Sequence, residues 1–178
     1  MEKTKIFETV EHLFKDESTI LKMSSEKQDN IRPGQEVARA GSEAEIKPQL
    51  SFNPKSPAGS YIVIALDVDA PVTPLGALTP VLLWIQSNLS IKRNTEGRTR
   101  LSTAGHPFIV NYSSPKPLMD KPHRYLFLLY EQPADFDFRT YVPRLDTSEK
   151  HRKLFNLEDW VEETKLGPVV AANYFSVW

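Results

Sequence analysis

Two apolar stretches in the middle of the chain each lie next to polar side chains. Residues 61–66 carry no charge and lead into Asp67 and Asp69, whereas residues 125–130 are apolar and closely follow His123. Short runs rich in β-branched and aromatic residues are typical of buried strands. Because side chains alternate along a strand, Asp67 and Asp69 are expected to point to the same side. The pattern therefore predicts two core strands that carry polar groups at one end.

Helical spacing of apolar residues predicts two helices, one near each end of the chain. The first is a short amphipathic helix near residues 6–15. The second begins after Asn156, a favourable N-cap residue, and carries Trp160 and Val161 on its apolar face. The Gly-Pro pair at 167–168 is expected to end it. Both Trp160 and Val161 are expected to be buried.

The remaining apolar segments predict a mainly β fold with these helices at its periphery. Further strands are predicted at 81–89, 108–112 and 169–177, with short edge strands near 45–47 and 49–52 and surface loops at 72–76 and 90–105. Pro33 and Gly34 mark a turn. The loop at 90–105 carries several lysines and arginines, which indicate either a solvated surface or a phosphate-binding patch.

Composition limits what the chain can do. Its 178 residues fit one domain, residues 1–178, with residues 1–21 as an N-terminal helical extension. A net charge of −1 provides no general field for nucleic acid. The absence of cysteine excludes disulfides, thiolate catalysis and cysteine-based metal sites. No apolar run approaches the roughly 18 residues of a membrane span, and no secretory signal is visible, so we expect a cytoplasmic protein.

No sequence motif assigns an enzymatic activity. A nucleophile elbow, a phosphate-binding P-loop and metal-ligand spacing are all absent from the sequence. We therefore expect neither a metal nor a cofactor. Whether the chain is an enzyme stays open, and no catalytic residue is assigned.

The polar strand ends suggest a binding site. Alternation places His123 and Tyr125 on one face of their strand and Arg124 on the other. An imidazole near carboxylates has a raised pKa and becomes a hydrogen-bond donor. We therefore expect His123 and Tyr125 to bind an anion while Asp67 and Asp69 orient them. A solvated strand end and a structural histidine are the alternatives.

Several motifs resemble those of the phosphatidylethanolamine-binding protein family, which includes the Raf kinase inhibitor and carboxypeptidase Y inhibitor proteins. Asp67-Val68-Asp69-Ala70-Pro71 is similar to the family's Asp-Pro-Asp-x-Pro, and Lys121-Pro122-His123-Arg124 is similar to its Gly-x-His-Arg. Residues 82–85 and 166–175 resemble further family segments, as does Tyr112 with the prolines at 115 and 117. The similarity extends over about residues 30 to 175.

This resemblance implies a large antiparallel sheet packed on a smaller one, with a small pocket for phosphate, acetate or a phospholipid head group. The Ala70–Pro71 peptide is expected to be cis. Because the chain ends at Trp178, without the C-terminal helix of animal members, the pocket mouth is expected to be wide, as in fungal and bacterial relatives. The residues implied to bind the ligand are Asp67, Asp69, Leu83, Trp84, Ser114, Pro115, His123 and Tyr125.

Departures from the family pattern bear on the ligand. Leu83 replaces a histidine that contacts ligand, Val68 replaces a proline, and Ser114 and Lys121 replace glycines. The loss of a donor at position 83 predicts weaker binding of bare phosphate. The apolar surface of Leu83 with Trp84 predicts a preference for an acid that carries alkyl groups.

Two functions remain open at this stage. The first is a cytosolic module that binds a small anion or a lipid head group and regulates a kinase or protease. The second follows from fungal members of the family associated with secondary metabolism, and is assistance in coupling maleic-anhydride monomers into maleidrides. In either case the expected partners are a small anion or organic acid and a protein, not nucleic acid.

Overall fold

Two β-sheets form the body of the protein in a computed structural model, which describes residues 5–25, 28–37, 47–57, 59–70, 80–114, 121–142 and 148–177. The strands are β1 Lys22–Ser25, β2 Gln28–Ile31, β3 Gln35–Val37, β4 Gln49–Ser51, β5 Tyr61–Asp67, β6 Val81–Arg93, β7 Thr99–Ser102, β8 His123–Glu131 and β9 Val169–Val177. The small sheet has the order β2-β1-β4, and the large sheet has the order β3-β9-β8-β5-β6-β7.

Both faces of the large sheet are covered, which explains why residues 61–66 of β5 and 125–130 of β8 are apolar throughout. Tyr61, Val63 and Ala65 share one core with Met23 and Leu50 of the small sheet. On the other face, alternate residues of β5 pack against the helices described next. Every residue of β5 is buried. The mainly β architecture of two unequal sheets confirms the predicted fold class.

Short helices cover the second face of the large sheet. They are α1 Lys5–Val10, continued by a 3-10 turn at Glu11–Lys15, α2 Glu149–Lys153 and α3 Leu157–Glu163. The side chain of Asn156 accepts hydrogen bonds from the backbone N–H groups of Glu158 and Asp159, as its sequence position predicted. Trp160 is buried, whereas Val161 is half-buried. Both predicted helices are confirmed, although α3 ends before Gly167.

One edge of the large sheet departs from the expected antiparallel pattern. Strand β3 pairs with β9 in parallel, while the other neighbours in the sheet are antiparallel. Gly34 leads into β3 with φ +80°, and a Cβ there would lie 2.7 Å from the hydroxyl oxygen of Tyr174. Its N–H donates to the carbonyl oxygen of Tyr174 over 2.9 Å. A glycine is therefore required where the chain enters this edge.

Other sequence predictions were wrong. Strand β6 continues to Arg93 and pairs with β7, so the segment 90–105 is largely a hairpin. Residues 108–112 form a single bridge, Ile85 to Val110, and no regular strand. Strands β1, β2 and β3 had not been assigned, since they are short and polar. Of the predicted strand at 45–47 only Lys47 is described, and it is not in a strand. The predicted loop at 72–76 and the Ala70–Pro71 peptide lie outside the described residues.

Within the ranges described, no helix is long and apolar enough to cross a membrane.

Candidate functional site

Strands β5 and β8 bring Asp67 and His123 together at one end of the large sheet. Asp67 lies directly across from Tyr125 in the antiparallel pair. The Oδ2 atom of Asp67 is 2.8 Å from Nδ1 of His123, and both side chains are buried. Oδ1 of the same carboxylate accepts the backbone N–H of Asp69 over 3.0 Å. The predicted contact between Asp67 and His123 is therefore present.

Asp69 has a different partner from the one expected. Its Oδ2 accepts from Nε of Arg124 over 2.7 Å and from the backbone N–H of Arg124 over 2.9 Å. Its Oδ1 accepts from Nη2 over 2.7 Å. Such a two-pronged pair is geometrically specific and strong. The prediction that Asp69 orients His123 and Tyr125 is wrong, because both of its oxygens are bound to Arg124.

The end of β5 explains this division. The strand stops at Asp67, and the N–H of Val68 donates to the carbonyl oxygen of Arg124 over 3.0 Å. Alternation holds only in extended backbone, and the chain bends at residues 68–69. Arg124 lies on the helix-covered face, where its guanidinium stacks on the ring of Phe7 at 4.7 Å. Asp69 thus joins the helix side of the sheet to the strand end.

A bulge in β6 places Leu83 and Trp84 beside this strand end. Ala65 faces Trp84 whereas Leu66 faces Leu82, so Leu83 is an extra residue in the ladder. Both Leu83 and Trp84 consequently belong to the core between the two sheets, which also contains Tyr125. Consecutive residues of a regular strand would point to opposite faces, and only the bulge allows this pair to share one.

The ring of Trp84 contacts a lysine and a tyrosine, whereas its N–H has no hydrogen bond within the part of the chain that the structure describes. The ammonium of Lys47 lies 4.9 Å from the ring centroid, and Tyr112 meets the ring edge-on at 5.9 Å. The Nε1 atom is buried and has no hydrogen-bond partner among the described residues. The Oγ atom of Ser114 is also buried and has no hydrogen-bond partner among the described residues. Pro115, the other loop residue expected here, lies outside the described residues.

Arg152 of α2 was not predicted to be part of the site, and it binds the backbone of the bulge in β6. It is buried, and Nη1 donates to the carbonyl oxygens of Leu82 and Leu83 over 3.2 and 2.9 Å. Nη2 donates to the carbonyl oxygen of Asn111 over 2.9 Å. Ser113 N–H also donates to the Leu83 carbonyl over 2.9 Å. Burial lowers the pKa of Arg152. Nothing in its charged sequence context predicted this contact.

The family model of phosphatidylethanolamine-binding proteins matches residues 23–175. The chain belongs to the phosphatidylethanolamine-binding protein family. It is 28% identical over 138 residues to phomoidride biosynthesis cluster protein N of Fungal sp., covering 77% of this chain and 62% of that protein. Its identity to the protein of the same name from Talaromyces stipitatus is 28% over 116 residues, covering 65% and 57%. The chain thus spans about three fifths of the length of these relatives.

Solved structures of the family share the fold. Carboxypeptidase Y inhibitor, in a crystal structure with its cognate proteinase, superposes with a TM-score of 0.67 at 24% identity, covering 97% of this chain and 91% of that one. A phosphatidylethanolamine-binding protein from Plasmodium vivax gives a TM-score of 0.59 at 16% identity, covering 97% and 94%. At these identities the likeness shows the architecture alone.

In this member of the family, the aromatic rings beside Asp67 form a rigid stack. The rings of His123 and Tyr125 lie 6.4 Å apart with an angle of 25° between their planes. Tyr125 in turn stacks on Phe175 at 5.7 Å. Strands on both sides of β8 therefore fix the rings that were expected to meet a ligand. Among the described residues, no cluster of three potential metal ligands exists.

Two cavities lie on opposite faces of the large sheet. One of about 250 Å³ lies beside Trp84 and is also lined by Lys47, Leu89 and Arg100. Another of about 890 Å³ lies on the opposite face, between α1 and α3. None of the predicted ligand-binding residues that the structure describes lines the larger cavity. The polar residues of the strand end and the cavity between α1 and α3 thus lie on different sides of the sheet.

Proposed function

We propose that this chain binds a small molecule with a carboxylate or phosphate group at the strand end formed by Asp67, Trp84, Ser114, His123 and Tyr125. The proposal is supported by two buried polar atoms, Trp84 Nε1 and Ser114 Oγ, that have no partner among the described residues. A buried polar group without a hydrogen bond costs about 1–3 kcal/mol. An oxygen of a bound anion would recover this energy, whereas an apolar ligand would not.

Asp67 prepares the site by fixing one side chain. With Nδ1 of His123 held at 2.8 Å, the imidazole ring has a set tautomer and direction. A ring that is already ordered loses little conformational entropy when a ligand binds. His123 is thus the residue that donates a hydrogen bond to the ligand in this proposal, and Asp67 orients it.

Paired tryptophan variants test the assignment. Trp84→Phe removes the indole N–H and keeps an aromatic ring, so binding of phosphate, acetate or an alkyl dicarboxylate in calorimetric titration should weaken. Trp160→Phe is the matched control, because Trp160 Nε1 is also buried without a partner among the described residues but belongs to the core on the other face. Equal affinities of the two variants would contradict the proposal. Absence of any heat with all three ligands would do so as well.

A second candidate function is a role in fungal secondary metabolism. Its support is the identity of 28% to two proteins named for phomoidride biosynthesis. In this case the bound molecule is a maleic-anhydride monomer, and the protein assists its coupling into a maleidride. Incubating the protein with such monomers and analysing the products by mass spectrometry tests this role. No increase in dimer over protein-free buffer, or an equal increase with Asp67→Asn, would contradict it.

Regulation of a kinase or protease stays a prediction. The structure of carboxypeptidase Y inhibitor contains a proteinase. Because that inhibitor is only 24% identical to this chain, the likeness covers the fold alone. An inhibition assay against carboxypeptidase Y is the direct measurement, and undiminished proteolysis at a large molar excess of this chain would count against that partner.

A further inference from the structure

A basic cleft lies between the small sheet and the hairpin of β6 and β7. Its volume is about 670 Å³, and β1, β2 and β4 form one wall while the hairpin forms the other. None of the residues assigned to the strand-end site lines it. Five cationic side chains line the cleft, namely Lys22, Lys92, Arg93, Arg98 and Arg100. They come from three strands and one turn, so the fold gathers charges that are distant in sequence.

Few carboxylates balance these charges. Asp29 is the acidic residue among the lining groups. Arg98 lies 3.4 Å from Glu96 in an exposed pair. Over the described ranges, Lys22, Lys92, Arg93 and Arg100 have no ion pair. The chain as a whole has a net charge of −1, so this concentration of positive charge is local.

The hairpin holds two of these cations against each other. Lys92 lies directly opposite Arg100 in the antiparallel pairing of β6 and β7. Like charges at directly opposed positions destabilise a strand pair. A bound anion between them would offset this repulsion, which the empty protein must tolerate. The pairing of Lys92 with Arg100 thus destabilises the hairpin, and a multiply charged anion bound between them would remove this destabilisation.

The walls of the cleft are held in place by polar contacts. The hydroxyl groups of Ser51 and Thr99 lie 2.7 Å apart and connect β4 with β7. In the hairpin turn, Asn94 Oδ1 accepts the backbone N–H groups of Glu96 and Arg98 over 3.1 and 2.8 Å. Gly97 adopts φ +77°, which the turn requires. The cations therefore project from a fixed backbone rather than from a flexible loop.

We propose that this cleft binds a small molecule carrying two or more phosphate groups. Arginine matches phosphate geometry with paired N–H donors, and lysine adds a compact charge. A concave space of this size suits a small ligand, since pockets for such ligands are roughly 300–1,000 Å³. The cleft is a second binding site on the same chain, and it shares Arg100 with the cavity beside Trp84.

Tripolyphosphate is the first probe, with titration calorimetry at low ionic strength. Lys92→Gln with Arg100→Gln should weaken binding by at least about tenfold, because two charge-assisted contacts are lost. The control Arg139→Gln with Lys150→Gln removes the same charge outside the cleft and should leave the affinity within about twofold of wild type. Circular dichroism checks that each variant is folded. Since both cleft residues are exposed, we expect no loss of fold.

Two further ligands distinguish between the possible sources of the phosphate groups. ATP and vesicles of phosphatidylcholine with 5% phosphatidylinositol bisphosphate as the probe composition are compared with tripolyphosphate. Binding of tripolyphosphate and ATP supports the proposal, and added vesicle binding identifies a lipid head group as a source. The proposal is overturned if tripolyphosphate does not bind, if only vesicles bind, or if cleft and control variants lose affinity equally. The loss of affinity caused by Lys92→Gln with Arg100→Gln should persist in a Trp84→Phe background, which separates the cleft from the strand-end site.

Discussion

Substitutions of the two aspartates at the end of β5 are expected to have different effects, one mainly on stability and the other mainly on ligand affinity. Asp69 and Arg124 form a buried pair, with exposed fractions of 8% and 5% and three hydrogen bonds between them. Removing one partner of a buried ion pair costs about 3–5 kcal/mol. For a chain of this length, 1 kcal/mol changes the melting temperature by about 2–4 °C. Asp69→Ala should therefore lower it by about 6–20 °C.

Asp67→Asn is the matched comparison at the same strand end. The asparagine oxygen can still accept the N–H of Asp69, so the backbone contact is retained. The loss is one charge-assisted bond to His123, about 1.5–3 kcal/mol. The imidazole is no longer held by a charged partner, so ligand affinity should fall more than stability. Asp69→Ala should show the reverse order of effects.

Urea unfolding, thermal scans and calorimetric titration on the same preparations measure both quantities. An exposed pair provides the background level, because Asp137 and Arg139 lie on the surface and Asp137→Asn should change stability little. Our reasoning is refuted if Asp69→Ala melts within about 2 °C of wild type. A cycle with Arg124→Met adds a check, since the two changes should be strongly non-additive if the pair acts as a unit.

Three further changes test other parts of the fold. Trp160→Ala should destabilise the protein by about 3–5 kcal/mol in urea unfolding, since Trp160 is 5% exposed and meets Tyr141 edge-on at 4.8 Å; an unchanged midpoint contradicts this. Arg152→Met should lower both the melting temperature and anion affinity, because its bonds to the carbonyl oxygens of Leu82 and Leu83 are lost, whereas intact affinity would exclude its support of the bulge. Leu83→His should raise the affinity for phosphate relative to an alkyl dicarboxylate in calorimetric titration; an unchanged ratio contradicts a role for position 83.

The elements that the sequence predicted well are those whose own residues determine them. The apolar run of β5 and the cap at Asn156 are local signals, and both are present where expected. The orientation of Asp69 was not predictable in this way. It depends on where β5 stops and on an arginine more than fifty residues away, which alternation along one strand does not describe.

Long-range contacts also account for the elements that were missed. Strand β7 is a polar segment of four residues, and it exists because β6 extends to pair with it. Arg152 lies in a run of charged residues, and the sequence pattern predicted no buried contact for it. Only the folded chain places its guanidinium against the carbonyl groups of β6. Part of a segment predicted as a loop from its polarity is therefore a strand, β7, and the charged side chain of Arg152 is buried.

The placement of Leu83 changes how it can influence the ligand. Full burial of a leucine side chain is worth about 1.5–3 kcal/mol, and Leu83 is already only 6% exposed. Direct contact with ligand carbon would therefore add only about 0.1–0.2 kcal/mol by that measure. The larger effect of leucine at this bulge is the hydrogen-bond donor it fails to provide, worth about 1.5–3 kcal/mol to a charged oxygen. Leu83 should disfavour phosphate much more than it favours an alkyl group, so any preference for an alkylated acid must come from other walls of the site.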